Sequence, residues 1–225
     1  MNLLKRIPIH YQGQLYDVRL VNFSIDAREL QGRIPSQIQL RDFAGRAMIS
    51  MVDVKLRNMR PTFLPAGLYF NYRHVAFRVL VDDGRYNDGV QKGIFFYRSF
   101  TDKYFAVIGG KLLTDYNLEG ATINEDGDDV GIFQGADYIR YRIGREPMVD
   151  ADEALKSIVG SVDRAYSVLG KTLRVTQIQR QQWPIRQVRC SGFENTFFKT
   201  AKLEGAFRVF ETIHYDWMPP KPVNR

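Results

Sequence analysis

The sequence predicts an α+β fold, mainly antiparallel β, with the sheet partly closed into a barrel and one or two helices. Three observations predict it. The 225-residue chain is 44% hydrophobic and 25% charged, an ordinary balance for a protein with a sizeable core. Its 15 Phe and 12 Tyr suit strands, where rings pack on a pleated surface. Short alternating runs recur between turn signals such as Asp82-Asp83-Gly84, Asn87-Asp88-Gly89 and Glu125-Asp126-Gly127. Closure is expected because it removes exposed strand edges. With no repeat, low-complexity tract or Ser/Gly linker, one domain over 1–225 is expected.

In chain order, Tyr16–Asn22 alternates and reads as a strand. Ser24–Arg33 reads as a helix, with Ile25, Leu30 and Ile34 on one face and Pro35 closing it. Arg46–Asp53, His74–Val81 and Lys92–Tyr97 read as strands. Phe100–Leu113 is ambiguous, since Gly109-Gly110 opposes a long helix there. Gly120–Asn124, Gly131–Phe133 and Tyr138–Ile143 are further strands. The clearest helix is Asp152–Leu169: Asp150 or Asp152 caps it, and Ala154, Leu155, Ile158, Val159, Val162, Ala165 and Val168 follow a 3.6-residue period. Gly170 is placed as its C-cap. Thr172–Gln179 is a strand, Ser191–Phe198 a short helical turn, and Phe207–Asp216 a final strand.

Several function classes are set aside. The apolar runs are far shorter than a membrane span, and the start has no signal-peptide core, so a cytoplasmic location and no membrane partner are expected. The single cysteine, Cys190, cannot form an internal disulfide; it reads as a packed apolar residue despite its neighbour Arg189. His10, His74 and His214 stand alone, with no metal-ligand spacing, so no metal and no cofactor are expected. Gly109-Gly110-Lys111 lacks the long glycine-rich loop and hydroxyl of a phosphate site. Glu125, Asp126, Asp128 and Asp129 lack the spacing of a calcium loop and read as a solvated hairpin tip.

The net charge of +7 is unevenly spread. Between Lys171 and Arg208 stand eight basic residues against only Glu194 and Glu204, with Trp183, Phe193, Phe197 and Phe198 interleaved. Cations with rings suit single-stranded nucleic acid, which makes a polyanion- or nucleic-acid-binding module the alternative function. The same pattern also describes strands with a charged outer face and a buried aromatic one. A third reading has the C-terminal Trp217–Pro222 segment dock a partner.

The middle of the chain carries a more specific order of parts. Val21–Leu40 is followed by the runs Gly45–Leu56, Tyr72–Val81 and Lys92–Ile123. Within the last, Gly93, Asp102, Ala106, Gly109-Gly110 and Lys111 are the most specific residues, joined later by Trp183–Gln187 and His214–Pro220. This order resembles the acetoacetate decarboxylase-like superfamily, and more closely its branch of uncharacterised domains, over roughly Asp17 to Pro220. The resemblance implies a cone-like closed sheet around a ligand cavity. In the decarboxylases a lysine forms a Schiff base with a β-keto acid, and a second lysine beside it lowers its pKa.

Laid on that lysine pair, this chain has Leu118 and Glu119. The facing glutamates fall near Met48 and His74, and the substrate arginine falls near Tyr16, with Arg19 close by. The resemblance therefore implies the fold without imine chemistry, and whether any reaction is catalysed stays open. The expected partner is a small-molecule ligand, an organic acid or an apolar metabolite, bound in the cavity; a homo-oligomer is compatible with this. Candidate ligand-binding residues by that placement are Arg73, His74, Arg98, Lys111, Tyr116, Asn117 and Glu119, with His74 and Glu119 as a conceivable acid–base couple.

Overall fold

The first strand, β1 (Tyr11–Asp26), is longer than its alternating run because it pairs with two neighbouring strands in turn along one edge. Its Tyr11–Leu15 part pairs with β14 (Ile213–Trp217), and its Val18–Ser24 part with β13 (Lys202–Val209). Its other edge pairs with β3 (Arg46–Pro61). From β3 the ladder runs through β4 (Phe70–Val81), β5 (Gly93–Thr101), β10 (Arg164–Leu169) and β11 (Thr172–Arg180) to β14, and so back to β1. These seven strands form a closed barrel, antiparallel except where β10 runs parallel to β5. The structure is a computed structural model that describes residues 8–65, 67–113 and 118–223.

Beyond β13 the sheet continues through β12 (Arg186–Asn195), β9 (Asp137–Pro147), β8 (Asp129–Gln134) and β7 (Thr122–Asp126). This extension packs over one side of the barrel. The strands β2 (Asp42–Phe43), β6 (Leu118–Gly120) and β15 (Lys221–Pro222) are short edge pieces. Two α-helices complete the described chain, α1 (Tyr104–Leu113) and α2 (Glu153–Gly160).

Alternation along the shared strands makes two cores. Leu15, Val52, Val54, Ala76 and Ile94 face the barrel interior and join Leu155 and Val159 of α2. Phe23, Ile49, Phe77 and Phe100 face outward and pack on Ile132, Ile139 and Ile143 of the extension. Phe77 is fully buried among Phe23, Phe100, Phe197 and Phe198.

Two bulges decide which polar residues face which core. Between Tyr16 and Arg19 the β1–β3 register shifts and Asp17 adopts φ 50°, so Leu15 and Val18 both face inward while Asp17 and Arg19 join the outer layer. In β5, Phe77 pairs with Arg98 but Arg78 pairs with Phe96, which makes Tyr97 the extra residue. Ile94 and Phe96 therefore face inward, whereas Arg98 lies over Phe100 and Phe197 in the outer core.

The mainly antiparallel closed sheet agrees with the predicted class; several elements differ. Ser24–Arg33 is not an α-helix: β1 continues to Asp26, and a 3-10 turn, Ala27–Leu30, follows. The helix expected over Asp152–Leu169 stops at Gly160, and β10 takes up Arg164–Leu169. Gly170 is a hairpin glycine at φ 63°, not a helix cap, and both roles need the same left-handed backbone. Ser191–Phe198 is mostly strand, because Cys190 to Asn195 pair with β9. Phe207–Asp216 is two strands, and α1 forms despite Gly109-Gly110. No helix among the described residues is long and apolar enough to cross a membrane.

Candidate functional site

The barrel holds a partly open cavity of about 110 Å³. That approaches the roughly 150 Å³ of an engineered apolar cavity known to take benzene. The even-numbered residues of β4 reach it: Tyr72, His74 and Arg78. Phe96 comes from β5, Ile178 and Arg180 from β11, and Tyr215 and Trp217 from β14. Trp183, just past β11, completes the lining with apolar residues of β1 and β3. One wall is aromatic. The His74 ring stacks on Phe96 with centroids 6.2 Å apart and lies 6.4 Å from Tyr72, and Phe96 meets Trp217 edge-on at 5.7 Å. The Tyr215 hydroxyl donates to Met59 Sδ at 3.1 Å.

The charges are unusual for such a lining. Arg78 is 5% exposed; its Nε donates to the Ser50 carbonyl at 2.9 Å and its Nη2 to Ser50 Oγ at 2.8 Å. Arg180 donates through Nη2 to the carbonyls of Gly160, the last residue of α2, and of Val162 just beyond it. Both guanidiniums reach one indole, at 5.9 and 4.3 Å from the Trp183 centroid. Burial pulls Arg78 down to about 9, with Arg180 adding repulsion, and burial pulls Arg180 to about 10; both stay cationic at neutral pH. Burial, then the neighbouring Arg78, pulls His74 down to about 4, so its imidazole is neutral. Burial also raises Tyr72 and Tyr215, which stay neutral phenols. Among the described residues, no Asp, Glu or Lys lines the cavity. Among the described residues, the buried Trp183 indole N–H has no hydrogen-bond partner.

Of the residues singled out from the sequence, the cavity receives His74. Arg73, one residue before it, faces the outer layer, where it holds Asp53 through two bonds of 2.7 and 2.6 Å and Glu125 at 2.6 Å. That cluster also contains Arg19, bound to Asp17 at 2.8 Å and Glu125 at 2.5 Å, and the Tyr141 hydroxyl on Asp53 at 2.5 Å. Arg98 pairs with Glu119 at 2.7 Å and Gln134 at 2.9 Å, also in the outer layer, so His74 and Glu119 are not brought together. Tyr116, Asn117 and the side chain of Lys111 lie outside the described residues.

Other features resolve in the same way. Burial pushes the Cys190 thiol up to about 11, away from nucleophilic reactivity. Asp128 and Asp129 pair with Arg145 and Arg142 at the β7–β8 tip and β9. Within the basic segment, Arg174 is buried, Arg208 is held by Asp17 at 2.8 Å, and Trp183 and Phe198 are buried. Sequence reasoning missed Arg78, Arg180 and Trp183 as lining residues. Their signal was present in part: Arg78 shares strand parity with His74 inside HVAFRVLV, where an outward charge would break the alternation.

Comparisons with known proteins agree with this architecture. The family model DUF2071, described as an uncharacterized conserved protein, matches residues 12–217. Acetoacetate decarboxylase from Legionella pneumophila subsp. pneumophila str. Philadelphia 1 has a similar structure, with a TM-score of 0.64 and 14% identity over 95% of this chain and 87% of that one. The enduracididine biosynthesis enzyme MppR, complexed with the condensation product of pyruvate and imidazole 4-carboxaldehyde, has a TM-score of 0.58 and 9% identity over 98% of this chain and 91% of that one. A second acetoacetate decarboxylase structure has a TM-score of 0.55 and 14% identity over 96% of this chain and 88% of its own. At these identities the likeness is one of fold. None of the curated proteins matches the sequence.

Proposed function

We propose that this chain, which belongs to the DUF2071 family of uncharacterized conserved proteins, uses its acetoacetate decarboxylase-like barrel to hold a small organic molecule without forming an imine. The observation that carries this reading is the lining of the cavity: aromatic and aliphatic side chains, a neutral His74, and no lysine among the described residues. A concave, mostly apolar space with a few polar groups is the usual form of a small-ligand site. At the position where the sequence placement puts the decarboxylase lysines, Glu119 is engaged by Arg98 and cannot act as an amine nucleophile. The ligand is an organic acid or an apolar metabolite of a size set by the cavity. The whole 225-residue chain serves as one binding domain.

The chain has two tryptophans, Trp183 and Trp217, and both line the cavity, so intrinsic fluorescence reports its occupancy. Titration with a panel of small organic acids, ketones and aromatic compounds is expected to give saturable fluorescence changes. Val54→Phe, which fills the space from β3, is expected to abolish them while the variant still unfolds cooperatively. Borohydride reduction with β-keto acids and aldehydes is expected to leave the intact mass unchanged. Binding untouched by V54F, or a mass gain mapped to Lys111 or any other lysine, would overturn the reading.

A further inference from the structure

The charge inside the barrel has one sign. Arg78 and Arg180 line the cavity, and among the described residues neither has a carboxylate within ion-pair distance. Asp163 acts on Arg180 only from farther away and is itself held by Arg164 at 2.6 Å. Burying a guanidinium without a carboxylate counter-charge is unfavourable, and the end of α2 at Arg180 and the Trp183 face offset that cost only in part. The carbonyls and hydroxyl that these arginines meet would be satisfied equally by a neutral amide donor. Among the described residues, these hydrogen bonds use Nε and Nη2 of Arg78 and only Nη2 of Arg180, which leaves donors on both to spare. The buried indole N–H of Trp183 adds a third group with no acceptor. Uncommitted donors and uncompensated positive charge together call for a ligand that brings acceptors and negative charge.

We propose that the ligand is a small monocarboxylic acid whose carboxylate is received by Arg78 and Arg180, with the Trp183 N–H nearby, and whose apolar body lies along Tyr72, Phe96 and Trp217. This rests on the reading of the barrel as a ligand container, and it selects the acid over the neutral metabolite. One carboxylate is specified because the remaining wall, apolar apart from neutral phenols and a neutral His74, has no third cation among the described residues to pair a second acidic group. The volume selects a short branched or single-ring body.

The test compares carboxylates with their neutral isosteres. Wild-type protein at pH 7 is titrated by tryptophan fluorescence with 3-methylbutanoate and benzoate, then with 3-methylbutanamide and benzamide, with toluene as an apolar control. The carboxylates are expected to bind at least about tenfold more tightly than the amides, as charge-assisted pairing requires. Arg78→Met is expected to remove that preference while the unliganded variant melts at the same or a higher temperature, because an unpaired buried cation has been replaced by an apolar side chain. Amides or toluene binding as well as the carboxylates would overturn the anion assignment and leave the container reading intact. Failure of every compound to bind would count against both. If R78M does not fold, the isostere comparison in wild-type protein still decides the question.

Discussion

Arg78 and His74 lie four residues apart on the same face of β4, and the Arg78 cation helps to set the charge of His74. Burial and the Arg78 cation hold His74 near 4, below its ordinary value near 6.5. Between those two values the unfolded chain binds the proton and the folded chain does not, so stability rises with pH across that window. It is lost as pH falls from about 6.5 toward 4, by up to roughly 3 kcal/mol for a shift of this size. His74→Asn should flatten this part of a urea-unfolding profile measured from pH 7 to pH 4.5. An unchanged slope would place the proton uptake elsewhere. At this scale the sequence was legible wherever alternation held. His74 was a candidate only through the family resemblance, which grouped Arg73 and Arg98 with it, although parity and the β5 bulge at Tyr97 send both outward. A bulge has no sequence signature as strong as a turn, and one extra residue reverses every side chain beyond it.

The helix α2 shows how an element can begin as the sequence predicts and end early. Asp152 caps it, its side chain accepting from the Leu155 N–H at 2.9 Å, and Leu155 and Val159 bury into the barrel core. Asp152→Ala should cost about 1 kcal/mol of unfolding free energy in urea denaturation, the ordinary worth of such a cap. No measurable loss would mean that the end is held by packing alone. The helical period continues on paper through Val162, Ala165 and Val168. Pairing wins instead, because Arg164–Leu169 fills the place between β5 and β11 and closes the barrel. Local periodicity cannot foresee a vacancy in a sheet made by strands some 70 residues away. The same preference for pairing draws Cys190 to Asn195 into the ladder with β9.

Across the whole molecule, the barrel and its outer layer are joined by an apolar core and by the buried ion cluster. Asp53, 2% exposed, lies at the centre of that cluster and accepts from Arg73 and from the Tyr141 hydroxyl. Asp53→Asn leaves buried guanidiniums under-compensated and should cost about 3–5 kcal/mol in chemical denaturation. A loss below about 1 kcal/mol would show that water already screens the cluster. Similar arginines thus serve two ends: those of the outer layer are answered by carboxylates, and those of the cavity, among the described residues, are not. The overall class was legible because turn signals and alternation are local, whereas this division depends on which strands meet.

The most direct test of that account is a crystal structure of the protein soaked with the tightest-binding carboxylate of the panel. Ligand density is expected inside the barrel, bounded by His74, Phe96, Trp183 and Trp217, with the carboxylate on Arg78 and Arg180. An empty barrel with the ligand at the Arg98–Glu119 pair, or elsewhere on the outer layer, would contradict it.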